Sequence, residues 1–217
     1  MATHQRAIRE ADKLERRQSI LDAAGRLFRA MPYEDIAVAQ IAEDAGLAKG
    51  TVYLYFKTKE EVFLGVTESL LAGWFDELGV KLRRLGESDA THVARTITAT
   101  LNKRPDLLRL LAMLHTVLEQ NAGVDAVRSF KRFLQERLAV AGAAIEGCLP
   151  FMKRGQGAHA LLQLYALVIG MQHLANPAPA AQRVIQEEGL NAFDLRFDTE
   201  FSAAAAALLN GLSAMSA

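Results

Sequence analysis

The stretch Ile41-Ala42-Glu43-Asp44-Ala45-Gly46-Leu47-Ala48-Lys49-Gly50-Thr51-Val52-Tyr53-Leu54-Tyr55-Phe56-Lys57-Thr58-Lys59 decides how this chain is read. Gly46 supplies a turn between a short helix over about residues 38–45 and a second over about 49–56, and a third helix starts just beyond. Ile41, Ala45, Leu47 and Val52 are spaced to bury one face of each short helix. That is the pattern of a helix-turn-helix, whose second helix can enter a DNA major groove. Lys49, Thr51, Tyr53, Tyr55, Lys57 and Lys59 put donors for phosphates and base edges around that helix. Gly50 lets its backbone come close to DNA.

Upstream, Ile20, Leu21, Ala24, Leu27 and Phe28 form one stripe of a helix over about residues 16–30. Met31-Pro32 ends it, since the residue before proline disfavours the helical region. Residues 1–12 read as a frayed arm or an early extension of the same helix. Ile20, Ala24, Leu27, Ile41, Ala45, Leu47, Val52 and Phe56 are then the expected shared core of a three-helix unit.

Downstream, Thr58-Lys59-Glu60-Glu61 is a capping box in which the threonine caps and Glu61 reaches back. It opens a helix of about 25 residues through Val62, Phe63, Val66, Leu70, Trp74 and Leu78, long enough to bridge two domains. Further helices are expected over 90–101, 105–119, 124–145, 157–175 and 201–212, with Pro105 in a first turn. Asn176-Pro177-Ala178-Pro179 breaks the pattern, so 176–199 reads as a loop with a short helix near 181–188. No alternating run argues a sheet. The fold class is all-α, with about nine helices, divided into an N-terminal helix-turn-helix domain (1–63) and a larger helical domain (64–217).

The 217 residues suit one large or two small domains, and 51% are hydrophobic, enough for a sizeable core. Basic and acidic side chains balance at 25 each over the chain, and at ten each within residues 1–65. A DNA contact therefore rests on a local basic face, and residues 48–59 hold three lysines and no acid. Cys148 is the single cysteine, which excludes an intrachain disulfide and fits a reducing cytosol. It reads as a small buried hydrophobe, with a redox sensor as the other reading.

The charged N-terminus lacks the apolar core of a signal peptide. The longest strongly apolar run, 161–171, is broken by Gln163 and too short to span a bilayer. A soluble, cytoplasmic protein with no membrane partner is expected. His4, His92, His115, His159 and His173 are scattered, with no nucleophile elbow and no glycine-rich phosphate loop, so no enzyme, metal or cofactor is expected.

Residues 16–63 resemble the DNA-binding domain of the TetR/AcrR family of transcriptional regulators. The likeness rests on Ile20-Leu21-Asp22-Ala23-Ala24 with Leu27-Phe28, on Ile41-Ala42 with Ala45-Gly46-Leu47, and above all on Lys49-Gly50-Thr51-Val52-Tyr53-Leu54-Tyr55-Phe56 followed by Lys59-Glu60-Glu61-Val62. It implies that Lys49, Gly50, Thr51, Tyr53, Tyr55 and Lys59 face DNA. The tyrosines and Lys59 would hold phosphates, and the early residues of the recognition helix would read bases. Two positions depart from the pattern. Ala48 stands where a serine or threonine often caps the recognition helix, and Ala37 where a hydroxyl residue often begins helix two; each removes a cap worth about 1 kcal/mol.

A single small DNA-reading unit covers little duplex, whereas two copies about a twofold axis read a palindrome. The helices over 157–175 and 201–212 are the candidates for the homodimer contact, through Leu161, Leu164, Val168, Met171, Leu208 and Leu212, with alanines 203–207 allowing close approach. The resemblance implies the same arrangement, a four-helix bundle shared by two subunits. Trp74, Met113, His115, Phe133 and Tyr165 combine aromatic bulk with polar handles, the usual lining of a small-molecule site.

The expected protein is a ligand-responsive regulator, a repressor by the family's habit. It would bind double-stranded palindromic operator DNA as a homodimer and be released by a small, mostly apolar or aromatic effector. The alternative is a helical adaptor or degenerate family member that no longer binds DNA, motivated by the neutral charge and the missing caps.

Overall fold

A computed structural model describes residues 2–214, with side chains from residue 11 onward. Met1 and residues 215–217, the outer ends of the two expected domain spans, lie outside the described residues. The described regular structure is all helical: α1 (Ala2–Ala30), α2 (Val38–Asp44), α3 (Lys49–Tyr53), α4 (Lys59–Leu85), α5 (Ala90–Leu101), α6 (Pro105–Met113), α7 (Glu119–Asn121), α8 (Val124–Cys148), α9 (Gln156–Ala175), α10 (Pro179–Glu187) and α11 (Phe197–Ala214), with short 3-10 turns at Tyr33–Asp35 and Asn191–Phe193. Of the two readings of the N-terminus, the helical extension holds from Ala2.

The chain forms two compact units. Among the described residues, the first runs to Ser69 and takes in Met113–Lys131, and the second comprises Leu70–Ala112 and the chain from Arg132 onward. The division falls inside α4, a few residues beyond the 63/64 boundary read from the sequence, and it gives the first unit a second segment.

In the first unit α2 packs on α1 and α3. Ile20, Ala24, Ile41, Val52 and Phe56 are buried as the periodicity requires, while Leu27, Ala45 and Leu47 keep part of their surface. Aromatic rings complete the core. Phe63 lies 5.6 Å from Phe28 and 5.0 Å, edge-on, from Tyr33, in the geometries aromatic pairs prefer. At the surface Arg26 joins α1 to the end of α2 through Asp44 at 2.8 Å.

The stretch expected as one helix over 105–119 is instead broken. Leu114–Leu118 forms a π-helical turn between α6 and α7. The apolar spacing of Leu107, Leu111, Leu114 and Leu118, all buried, continues across the break and therefore carries no mark of it.

In the second unit α11 packs on α5 and α9. Its Phe201, Ala205 and Leu209 are buried at four-residue intervals, and α5 turns in Val93, Ala94, Ile97 and Leu101. The chain between α8 and α9 reverses through a crossing that leaves no room for side chains. A Cβ on Gly157 would lie 2.1 Å from the Gly142 carbonyl oxygen, and one on Gly142 would lie 2.3 Å from the Ala158 nitrogen. Glu146 Oε1 accepts from the Gly155 and Gly157 N–H groups at 2.8 and 3.0 Å, and Gly155 takes φ +90°, which favours glycine.

By length and composition α9 alone among the described residues matches a membrane-crossing helix, with a mean hydropathy of 1.2 and 22% of that window buried. The 161–171 run extends into a 20-residue helix, so the expectation that it is too short to span a bilayer does not hold on length alone. Here α9 is one-sided: Gly157, Ala160, Leu161, Leu164 and Val168 line its inner face.

Gly157→Ala should destabilise the protein by about 3 kcal/mol in urea unfolding, because backbone on the facing helix cannot yield. Gly73→Ala, inside α4 with open space around it, should be neutral or stabilise by up to about 1 kcal/mol. Burial raises the Glu68 carboxyl above its ordinary value near 4.5, outweighing the lowering effect of Arg17. The folded state then binds that proton more tightly than the unfolded chain, so the favourable contribution is present at acid pH and lost as pH rises through the folded value. Unfolding midpoints of Glu68→Gln should rise at neutral pH and change less than those of the unsubstituted protein between pH 4.5 and neutrality.

Candidate nucleic-acid interface

The turn before α3 is closed by Gly46 at φ +68°, with its N–H on Glu43 and the Leu47 N–H on Ala42 at 2.8 Å, so the carbonyls at the end of α2 are satisfied. Ala48 supplies extended backbone at the start of α3 but no side-chain acceptor. At the start of α2 the missing hydroxyl is partly replaced: Gln40 Oε1 accepts the Ala37 N–H at 2.7 Å. The second short helix ends at Tyr53, three residues earlier than its apolar pattern predicts. Tyr55 and Phe56 lie on the turn that follows, both N–H groups bonded to Val52.

That geometry sorts the predicted residues. Val52 and Phe56 face inward at 0% and 5% exposure. Lys49, Gly50, Tyr53, Leu54 and Lys57 are exposed, and Thr51, Tyr55 and Lys59 are half-buried. Among the described residues neither the Lys49 nor the Lys57 ammonium meets a carboxylate. Lys59 is held instead: its Nζ donates to the Tyr33 carbonyl at 2.9 Å and sits 4.1 Å from the Tyr33 ring centre. The Tyr33 hydroxyl donates to Glu60 at 2.9 Å, and burial together with that carboxylate pushes the phenol far above its usual value. Sequence reading missed Tyr33 because it follows a proline in a 3-10 turn with no helical period. It also passed over Leu54, an apolar residue 81% exposed.

Glu61 closes the start of α4. Thr58 Oγ1 accepts the Glu61 N–H at 3.2 Å, half of the expected capping box, but the carboxylate reaches the Lys57 N–H, at 2.7 Å, instead of that of Thr58. Its other oxygen accepts the Gly123 N–H at 3.2 Å, and Thr58 Oγ1 donates to the Asn121 carbonyl at 3.4 Å. One carboxylate thus joins the turn after α3 to the 113–131 segment, within the first unit. In that segment Glu119 bonds His115 at 3.0 Å and Lys131 at 2.6 Å.

The five ligand candidates are divided between the two units. Met113 and His115 belong to the first unit, Trp74, Phe133 and Tyr165 to the second. Trp74 is buried, with Nε1 donating to Thr100 at 3.0 Å, and the Tyr165 hydroxyl donates to the Leu111 carbonyl at 3.1 Å. The Arg137 guanidinium lies 5.7 Å from the Phe133 ring centre. Two surface clefts of about 380 and 360 Å³ run between α4 and α8 past Arg83 and Val140, and neither is lined by Trp74, Phe133 or Tyr165. Cys148 borders the first; burial pushes its thiol up, away from the reactive thiolate, as for a small core residue.

The dimer candidates divide as well. Leu161, Leu164 and Val168 are buried within the chain itself, because the inner face of α9 has to close this unit's own core. Met171, Leu208 and Leu212 keep part of their surface. The open face of α9 carries Leu162, Ala166, Gly170 and Leu174, with the two leucines 50% and 52% exposed, and α11 leaves Ala203 and Ala207 open.

Residues 20–66 match the family model described as bacterial regulatory proteins, tetR family, and residues 68–216 match a tetracyclin repressor-like C-terminal domain. The chain is 34% identical over 59 residues to the fatty acid metabolism regulator protein of Bacillus subtilis, a stretch covering 27% of this chain and 30% of that one. It is 33% identical over 129 residues to the uncharacterized HTH-type transcriptional regulator YfiR of the same organism, covering 58% and 59%. The match therefore spans less than two thirds of either relative. The fold is similar to that of a TetR transcriptional regulator from Rhodococcus sp. RHA1 (TM-score 0.58, 18% identity, 91% and 97% covered). It is also similar to that of the fatty acid degradation regulator FadR from Bacillus halodurans (TM-score 0.56, 16% identity, 91% and 96% covered).

Replacing Glu61 separates its two bonds. Glu61→Ala should lower stability by about 1–2 kcal/mol through loss of the acceptors of the Lys57 and Gly123 N–H groups. Glu61→Gln, with one acceptor oxygen left, should fall between the two in the same urea titration.

Proposed function

We propose that this chain, which belongs to the TetR family of bacterial regulatory proteins, is a ligand-responsive transcriptional repressor that binds palindromic operator DNA as a homodimer. One observation carries the reading: an exposed, acid-free face of Lys49, Gly50, Tyr53, Leu54 and Lys57 on a helix-turn-helix whose opposite side is buried. Lysine and tyrosine donors there suit phosphate oxygens, and the absence of a Cβ at Gly50 permits close approach. Thr51, half-buried, keeps a hydroxyl and a methyl for base edges, while Tyr55 and Lys59 lie towards the phosphates.

The second copy is placed on the open faces of α9 and α11. There Leu162, Leu174, Met171, Leu208 and Leu212 have area left to bury, and the small residues Ala166, Gly170, Ala203 and Ala207 let helices approach. Leu161, Leu164 and Val168 support that face from inside.

The effector is placed in the second unit, near Trp74. It acts by preferring the arrangement that does not fit DNA; a ligand with equal affinity for both arrangements would shift nothing. The bond from Gly123 to Glu61 is the proposed last link, since it connects the 113–131 segment to the turn that follows α3. A coupling of roughly 1–3 kcal/mol is the scale expected. One Bacillus subtilis relative is named for fatty acid metabolism, which makes acyl compounds the first effectors to test.

Selection of native genomic fragments on the purified protein at low salt should enrich a palindrome, and the affinity should fall steeply as salt rises. Enrichment of no palindrome would defeat the proposal in favour of a helical adaptor. Against that operator, Lys49→Ala should weaken binding evenly across single-base variants and leave the melting temperature unchanged. Lys59→Ala should lower both, because its ammonium also holds the Tyr33 carbonyl. Thr51→Ala should change preference by about 1 kcal/mol at one base pair.

A further inference from the structure

Leu54 is the most exposed large apolar side chain among the described residues, at 81%. Single exposed leucines are ordinary on a protein surface, so its neighbours decide what it means. Gly50, Tyr53 and the capping residue Leu54 lie on one side of α3 and are exposed, and Lys57, on the turn that follows, is exposed too, whereas Val52 and Phe56 are buried. Leu54 stands four residues beyond Gly50, where an added Cβ would meet nothing within 4 Å. The closest approach that α3 allows to a flat or grooved partner is therefore at Gly50, and the next side chain on that line is Leu54. The flanking charges are the Lys49 and Lys57 ammonium groups, with no acid between Asp44 and Glu60.

An apolar tip between two uncompensated cations suits a polyanion that displays an apolar group between its charges. DNA does so in the major groove, where thymine alone presents a methyl group among polar edges. Resting on the DNA-binding reading above, we infer that Leu54 is a specificity residue that packs on a thymine 5-methyl group in each operator half-site. A contact to sugar or phosphate alone would leave the base unread, so the two cases differ in what the methyl group contributes.

The test uses the full-length protein and the palindrome recovered by genomic selection, synthesised with deoxyuridine replacing each thymidine of one half-site in turn. Deoxyuridine pairs as thymidine does and lacks only the methyl. Unsubstituted protein should lose about four-fold in affinity at one such position, the scale of one buried methyl group. Leu54→Ala should bind the thymidine operator about four-fold more weakly and be indifferent to deoxyuridine at that position, so that the two losses do not add. Leu54→Met should keep the discrimination, and so should Thr51→Ala, whose own methyl group is the competing candidate.

The inference is overturned if Leu54→Ala discriminates as the unsubstituted protein does, if discrimination disappears with Thr51→Ala instead, or if no position discriminates. Binding to the palindrome without this coupling removes the role of Leu54 alone. Absence of binding to any duplex removes it together with the DNA-binding reading.

Discussion

The first unit depends on how one carboxylate is shared. Glu61 accepts the Lys57 N–H with one oxygen and the Gly123 N–H with the other. The start of a long helix leaves N–H groups unpaired, and a negative charge there is favoured by the helix dipole. The Thr58 hydroxyl accepts one of them, the Glu61 N–H, and the two oxygens of the Glu61 carboxylate tie the residue before that cap to a segment more than fifty positions away in sequence. Tyr33, Lys59 and Glu60 form a second group of contacts around the same helix start. The turn between α3 and α4 is thereby held from both sides, and α3 is presented by a rigid support even though it is too short to be stable alone.

Much of this was legible in the sequence, and the reasons are local. Gly46 at positive φ, the Thr58–Glu61 pairing and the exact ends of α5 follow from residue types whose conformational preferences act over a few positions. The all-α class follows from periodicity over long stretches. Features that depend on the alignment of distant segments were not legible. The apolar spacing through Leu118 is the same for α and π winding, so the turn at Leu114–Leu118 leaves no trace in the pattern. A leucine-rich helix such as α9 has candidates for an interior on several sides, and its packing against distant segments, α11 among them, decides that Leu161, Leu164 and Val168 go inward while Leu162 stays out.

The site shows the same division. That residues 49–59 are basic and free of acid can be read directly, but the separate states of the three lysines cannot. Lys49 and Lys57 stand open, whereas Lys59 is engaged by a carbonyl and an aromatic ring contributed by a turn 26 residues earlier. A ligand lining is harder still. Trp74 looks available in a sequence because tryptophan is large and polar at one edge, yet here its N–H is satisfied by the Thr100 hydroxyl. A polar tip already bonded inside the subunit has to give up that partner before it can serve a ligand, which favours an apolar contact with its ring over a hydrogen bond to its edge.

The packing of α11 on α5 sets an order of events during synthesis. The apolar face of α5, with Val93, Ala94, Ile97 and Leu101, emerges from the ribosome long before residue 197 does. The α8–α9 crossing joins neighbours in the chain and can close early, but α5 has to wait for the last helix. Contacts between such distant segments form late and leave apolar surface open in the meantime. A nascent chain of this protein therefore passes through a period in which α5 lacks its partner, and premature termination anywhere before α11 would release a polypeptide with that face uncovered, a substrate for chaperones and proteases.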